Sequence, residues 1–158
     1  MKFERFEDVP VWKDGVGLAV EVFRMTEDRR FRYKGDIANQ LQRAALSVSN
    51  NIAEGFERGT QAEFLNYLYI AKGSAGEVRA QLYVGLDVGY FNIETFTYLN
   101  GLVLDCSRLI HSFTEKLKGS NVRGQQFRPG TDLDEAWLQE EIKNKAPEVY
   151  ERFYGKAS

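Results

Sequence analysis

Two runs of apolar residues stepping by threes and fours constrain this chain more than any other feature. Phe64, Leu68, Ala71, Ala75, Val78 and Leu82 form the first. Phe96, Leu99, Val103, Cys106, Ile110, Phe113 and Leu117 form the second. This spacing brings side chains back to one face of an α-helix, whereas a half-buried strand alternates with period two. The second run predicts a helix of about 25 residues, close to 40 Å long. Helices of that reach bury their seams against one another.

The segments upstream repeat the pattern. Ile37, Leu41, Ala44, Ala45, Val48 and Ile52 predict a helix from about Asp36 to Arg58. Trp12, Val16, Ala19, Val20 and Phe23 predict an earlier one, with Asp8 as its cap and Pro10 in its first turn. Gly15 and Gly17 weaken that helix or admit another backbone. Gly59 suits a helix C-terminus, and Thr60 with Glu63 forms a capping box for the next helix. Gly89 closes that helix and Asn92 caps the fourth. Four long helices with short links predict an all-α, up-down-up-down four-helix bundle over residues 1–118. Residues 119–131 are rich in Gly, Ser and polar side chains and read as a linker. Residues 132–158 predict a short helical tail: Leu133, Trp137, Leu138 and Ile142 make an amphipathic stretch interrupted at Pro147. Such an appendage is too small for its own core and should dock on the bundle or on a neighbour.

Composition removes several function classes. The formal net charge of −2 over 158 residues gives no global basic field. The single cysteine, Cys106, excludes an internal disulfide framework and fits a reducing cytoplasm. The opening MKFERFEDVP has no apolar h-region, so no signal peptide is expected, and no apolar run reaches a membrane span. Di-iron bundles need a Glu-x-x-His pair on each of two helices. This chain has one histidine, His111, preceded by Arg108. No metal, cofactor or catalytic residue is therefore expected. Cys106 sits in the apolar seam and reads as a small hydrophobe. Gly73-Ser74-Ala75-Gly76 lies within a helix, where its N–H groups are already used, so close helix packing is its expected purpose. Glu54, Glu63 and Glu77 are the only carboxylates that suggest an acid/base pair, and capping or pairing accounts for the first two.

Polar stripes flank the seams. Ser47, Asn51, Glu54 and Arg58 line one side of the second helix, and Ser74 and Glu77 lie along the third. The third helix has a further apolar side at Leu65, Tyr69, Gly76 and Tyr83. A helix apolar on two sides is usually buried on two sides. Ser47, Asn51, Glu54, Arg58, Leu65, Tyr69, Ser74, Glu77 and Tyr83 are thus expected at an oligomer interface. Arg24, Arg29, Arg30, Arg32 and Lys34, interleaved with Phe31 and Tyr33, are the expected nucleic-acid contacts.

The motif Ala44-Ala45-x-Ser47-Val48-x-x-Asn51-Ile52-Ala53-Glu54-Gly55 resembles the small bacterial bundle proteins encoded by intervening sequences of 23S ribosomal RNA genes, also labelled S23 ribosomal proteins. The likeness continues through Arg58, Glu63-Phe64, Leu68, Ile70-Ala71, Gly73-Ser74, Glu77, Leu82 and Gly89-Tyr90, and includes the opening Phe6–Trp12. The resemblance implies a left-handed bundle assembled as a ring-shaped homopentamer without enzymatic activity. It also implies kinship with the accessory variability determinant proteins of diversity-generating retroelements, which bind nucleic acid and a partner reverse transcriptase. Those proteins tend to be basic, unlike this chain, and the tail beyond Gly119 is a further departure. The expected function is a non-enzymatic homo-oligomeric interaction module, acting with RNA, DNA or an RNA-handling protein. The alternative is a protein-only scaffold that recruits a partner through its tail.

Overall fold

The structure, a computed structural model, describes residues 3–27, 35–119, 135–145 and 147–154. A 3-10 turn at Phe6–Asp8 leads into α1 (Pro10–Thr26). There follow α2 (Gly35–Glu57), α3 (Gln61–Asp87), α4 (Ile93–Gly119), α5 (Glu135–Lys145) and α6 (Pro147–Phe153). Contacts run from α1 to α2, α2 to α3, α3 to α4 and back from α4 to α1. That closed circuit of sequential neighbours is the four-helix bundle. No strand occurs among the described residues.

The α3 and α4 seams form the core as their spacing predicts: every residue of both runs is buried. Leu41, Ala44, Ala45, Val48 and Ile52 of α2 are buried against them. One end of the bundle is closed by aromatics. Phe64 packs edge-on against Phe113 at 6.0 Å and Phe56 at 5.9 Å, and Phe3 lies 6.3 Å from Phe113. Gln61 Nε2 adds a 2.6 Å bond to the Leu117 carbonyl, tying the start of α3 to the end of α4.

The helix ends follow local chemistry with two corrections. Asp8 does not cap α1. Val9 occupies the N-cap without a side-chain hydrogen bond, and Pro10 takes the first helical position. The capping box is only half formed: the Glu63 N–H donates to Thr60 Oγ1 at 3.2 Å, but Glu63 Oε2 receives the Thr60 hydroxyl instead of a backbone N–H. Gly59 and Gly89 do adopt positive φ, 78° and 72°. After α3 the Gly89 N–H reaches the Leu86 carbonyl and the Tyr90 N–H the Gly85 carbonyl, a Schellman ending. Asn92 Oδ1 accepts from the Thr95 N–H at 2.9 Å and so caps α4.

The face of α1 also differs from expectation. Its buried residues are Pro10, Val11, Asp14, Gly15, Gly17, Leu18, Ala19 and Val22, together with Thr26. Val16, Val20 and Phe23 are only half-buried and line an apolar groove of about 260 Å³ with Leu46 of α2. Gly15 explains the choice. A Cβ there would lie 3.1 Å from Val48 Cγ1 and 3.3 Å from the Ser49 nitrogen, so α1 crosses α2 backbone to backbone at this point.

The tail docks on the bundle, α5 against α1 and α4 and α6 against α1. Ile142 is buried, and Lys145 Nζ donates to Ser112 Oγ at 2.9 Å and pairs with Glu141. The Lys13 ammonium stands 5.1 Å from the Tyr154 ring centroid. The linker 120–131 and the expected start at Asp132 and Leu133 lie outside the described residues, as do the side chains of Trp137 and Leu138.

Candidate interaction surfaces

The family-like motif sits where α2 meets α3, the most extensive helix contact in the molecule. Gly55 makes the approach possible, since a Cβ there would collide with Tyr67 Cβ. Above it, Ser47 and Ser74 share a 2.8 Å hydrogen bond. Asn51 Nδ2 donates to the Ser47 carbonyl at 2.7 Å and to Ser47 Oγ at 2.9 Å. Below it, Arg58 Nη2 donates to Glu54 Oε1 at 2.8 Å and to the Tyr67 hydroxyl at 2.9 Å, while that hydroxyl donates to Glu54 Oε1 at 2.7 Å. The Arg58 guanidinium also stands 5.4 Å from the Tyr67 ring centroid. Ser47, Asn51, Glu54, Arg58 and Ser74 thus bond within one chain and set the register of the α2–α3 hairpin. Tyr67 was missed by sequence reading. It lies between the apolar seam and the exposed face, and only its place opposite Gly55 reveals its role.

This cluster is unsuited to acid/base work. The Arg58 hydrogen bond, aided by Tyr67, holds the Glu54 carboxyl below its ordinary range. The same carboxylate raises the Tyr67 phenol. A general acid or base needs a pKa near the working pH. Glu63 is engaged by Thr60, and Glu77 is exposed elsewhere on α3. His111 is exposed. Burial pushes the Cys106 thiol well up, as an inert core cysteine requires. Among the described residues, no three metal-ligating side chains converge.

The outer face of α3 is different. Tyr69 and Tyr83 are each 46% exposed, Ile70 44% and Val84 53%. Gly73 and Gly76 lie between them, and a Cβ on either would meet nothing. The expectation that these glycines serve close packing therefore fails within the chain. Tyr83 leans on Phe96 at 5.0 Å, and the Lys118 ammonium is 5.3 Å from the Tyr69 ring centroid. Leu65 is partly buried against the core.

Of the expected nucleic-acid contacts, Arg24 is exposed and pairs with Glu21 at 2.7 Å. Arg29, Arg30, Arg32 and Lys34 lie outside the described residues. No helix among the described residues is long and apolar enough to cross a membrane.

Comparison with known proteins places this architecture. A solved structure from Bacteroides thetaiotaomicron VPI-5482, described as a protein of unknown function from the S23 ribosomal protein family, superposes with a TM-score of 0.62. The two are 23% identical, and the match covers 66% of this chain and 98% of the other, a likeness of fold. No curated protein matches the chain. The profile of the 23S rRNA-intervening sequence proteins matches residues 7–112, which take in α1 to α3 and most of α4 but not the tail. The chain therefore belongs to the 23S rRNA-intervening sequence protein family.

Proposed function

We propose that the chain is a non-enzymatic interaction module that assembles with copies of itself, as a ring of five, and presents the assembly to RNA, DNA or an RNA-handling protein such as a reverse transcriptase. The observation that carries the self-assembly is the outer face of α3. Tyr69, Ile70, Tyr83 and Val84 remain exposed around two bare glycines on a helix whose opposite side is fully buried. Exposed apolar side chains gathered on one helix face favour an interface, and glycines let a partner helix approach closely. The polar hairpin cluster supports the same reading from within, because it fixes α2 against α3 and so holds that face rigid.

The docking of α5 and α6 on their own bundle favours this over a scaffold that recruits through its tail. The nucleic-acid part rests on the arginine-rich connection, whose charge a ring would multiply. Titration of the intact assembly with RNA and with DNA at rising salt tests it. Binding that weakens with salt, and weakens further in an Arg29→Ala/Arg30→Ala/Arg32→Ala variant, is expected. An intact assembly that binds neither at low salt overturns that part.

A further inference from the structure

The outer face of α3 is an ordered stripe. Ile70, Gly73, Glu77, Ala80 and Val84 follow one another by three, four, three and four residues, and all five are exposed. Glu77 stands midway along it and has no ion pair or hydrogen bond among the described residues. Gly73 and Ala80 keep the stripe low on either side of it. Two such stripes related by a two-fold axis would bring Glu77 against the same carboxylate of the other copy, because an isologous contact pairs the midpoint of a surface with itself. Like charges facing each other across an interface oppose association. A surface unlike itself, apolar and with a cation in reach, suits the stripe better.

Such a surface lies between α1 and α2. The groove of about 260 Å³ is walled by Val16, Ala19, Val20 and Phe23 of α1 and Leu46 of α2. Arg24 and Glu27 on its rim carry opposite charges, and Arg24 is held by Glu21. Arg43, one turn before Leu46 on α2, is exposed and has no ion pair or hydrogen bond among the described residues. It is the charge complement of Glu77. We propose that the α3 stripe of one copy seats in the α1–α2 groove of the next, with Glu77 against Arg43. This pairing rests on the self-assembly proposed above and names the two faces that meet. Because the faces differ, the contact runs head to tail: a growing assembly still offers one stripe and one groove until its two ends meet and close a ring.

Mixing two variants of the full chain tests it by mass in solution. Ile70→Lys/Val84→Lys spoils the stripe and leaves the groove intact; Val20→Lys/Leu46→Lys does the reverse. Each alone should be a monomer with the parent's helical spectrum. An equimolar mixture should form a 1:1 dimer and nothing larger, because one intact stripe meets one intact groove. A groove variant that keeps the parent's mass overturns the pairing, and so does a mixture that stays monomeric or grows past a dimer; the parent's own self-assembly would stand in each case. A monomeric parent overturns both together. Reversal of exposed charges tests the register without touching the apolar walls. Arg43→Glu or Glu77→Arg should weaken association about tenfold or more at low salt, as like charges across an interface do, and the two together should restore it. Single reversals without effect, or a double reversal no better than either, overturn the Glu77–Arg43 contact.

Discussion

Asp14 shows how a single residue can work against the fold that holds it. Burial is the main cause that raises its carboxyl from 3.8 to about 7; the nearby Asp105 charge adds to the rise, and a hydrogen bond with Cys106 opposes it. The folded chain therefore keeps a proton that the unfolded chain gives up near pH 4. Stability contributed at this site falls as pH rises from about 4 to about 7 and then levels off. The full difference corresponds to roughly 4 kcal/mol. Asp14→Asn should flatten that limb and be more stable than the parent above neutrality, with the gain shrinking in acid. Urea unfolding at several pH values measures it, and an unchanged pH dependence would contradict the assignment. Gly55 is the opposite case, a residue whose absent side chain is structural. Gly55→Ala should cost about 1–3 kcal/mol through overpacking against Tyr67, read as a lower urea midpoint with an unchanged slope.

At the scale of elements, α3 and α4 were legible because their seams are long, strictly spaced and uninterrupted. Caps at Asn92, Gly59 and Gly89 were legible because side-chain or backbone chemistry allows few alternatives there. The orientation of α1 was not. Its true core face carries Asp14, Gly15 and Gly17, while Val16, Val20 and Phe23 stand toward a groove. Hydrophobic periodicity counts a buried glycine or aspartate against the core, yet at the crossing with Val48 and Ser49 a Cβ on Gly15 would be a tight fit, 3.1 and 3.3 Å from its neighbours. The polar stripes were legible as stripes, but not their pairing within one chain, since helical angles do not say which neighbour a stripe meets. Among the described residues of the tail, Ile142 is the buried hydrophobic one. Ile142→Ala should release α5 and α6 to limited proteolysis while the bundle keeps its unfolding midpoint. Loss of tail and bundle together would show that the tail is part of the core.

On the scale of the whole molecule, the closed circuit of four helices holds the core, and the outer face of α3 leaves Tyr69, Ile70, Tyr83 and Val84 exposed. The family profile covers α1 to α3 and most of α4, and the region beyond it completes α4 and adds the tail. Self-assembly is the central claim, and light scattering coupled to gel filtration tests it most directly. The parent should run as an integral multiple of its 18.1 kDa chain, five being the expected number. A Tyr69→Glu/Val84→Lys variant, altered only at exposed positions, should keep its helical spectrum and fall to a monomer. A parent that is monomeric across the accessible concentration range, or a variant of unchanged mass, would contradict the account.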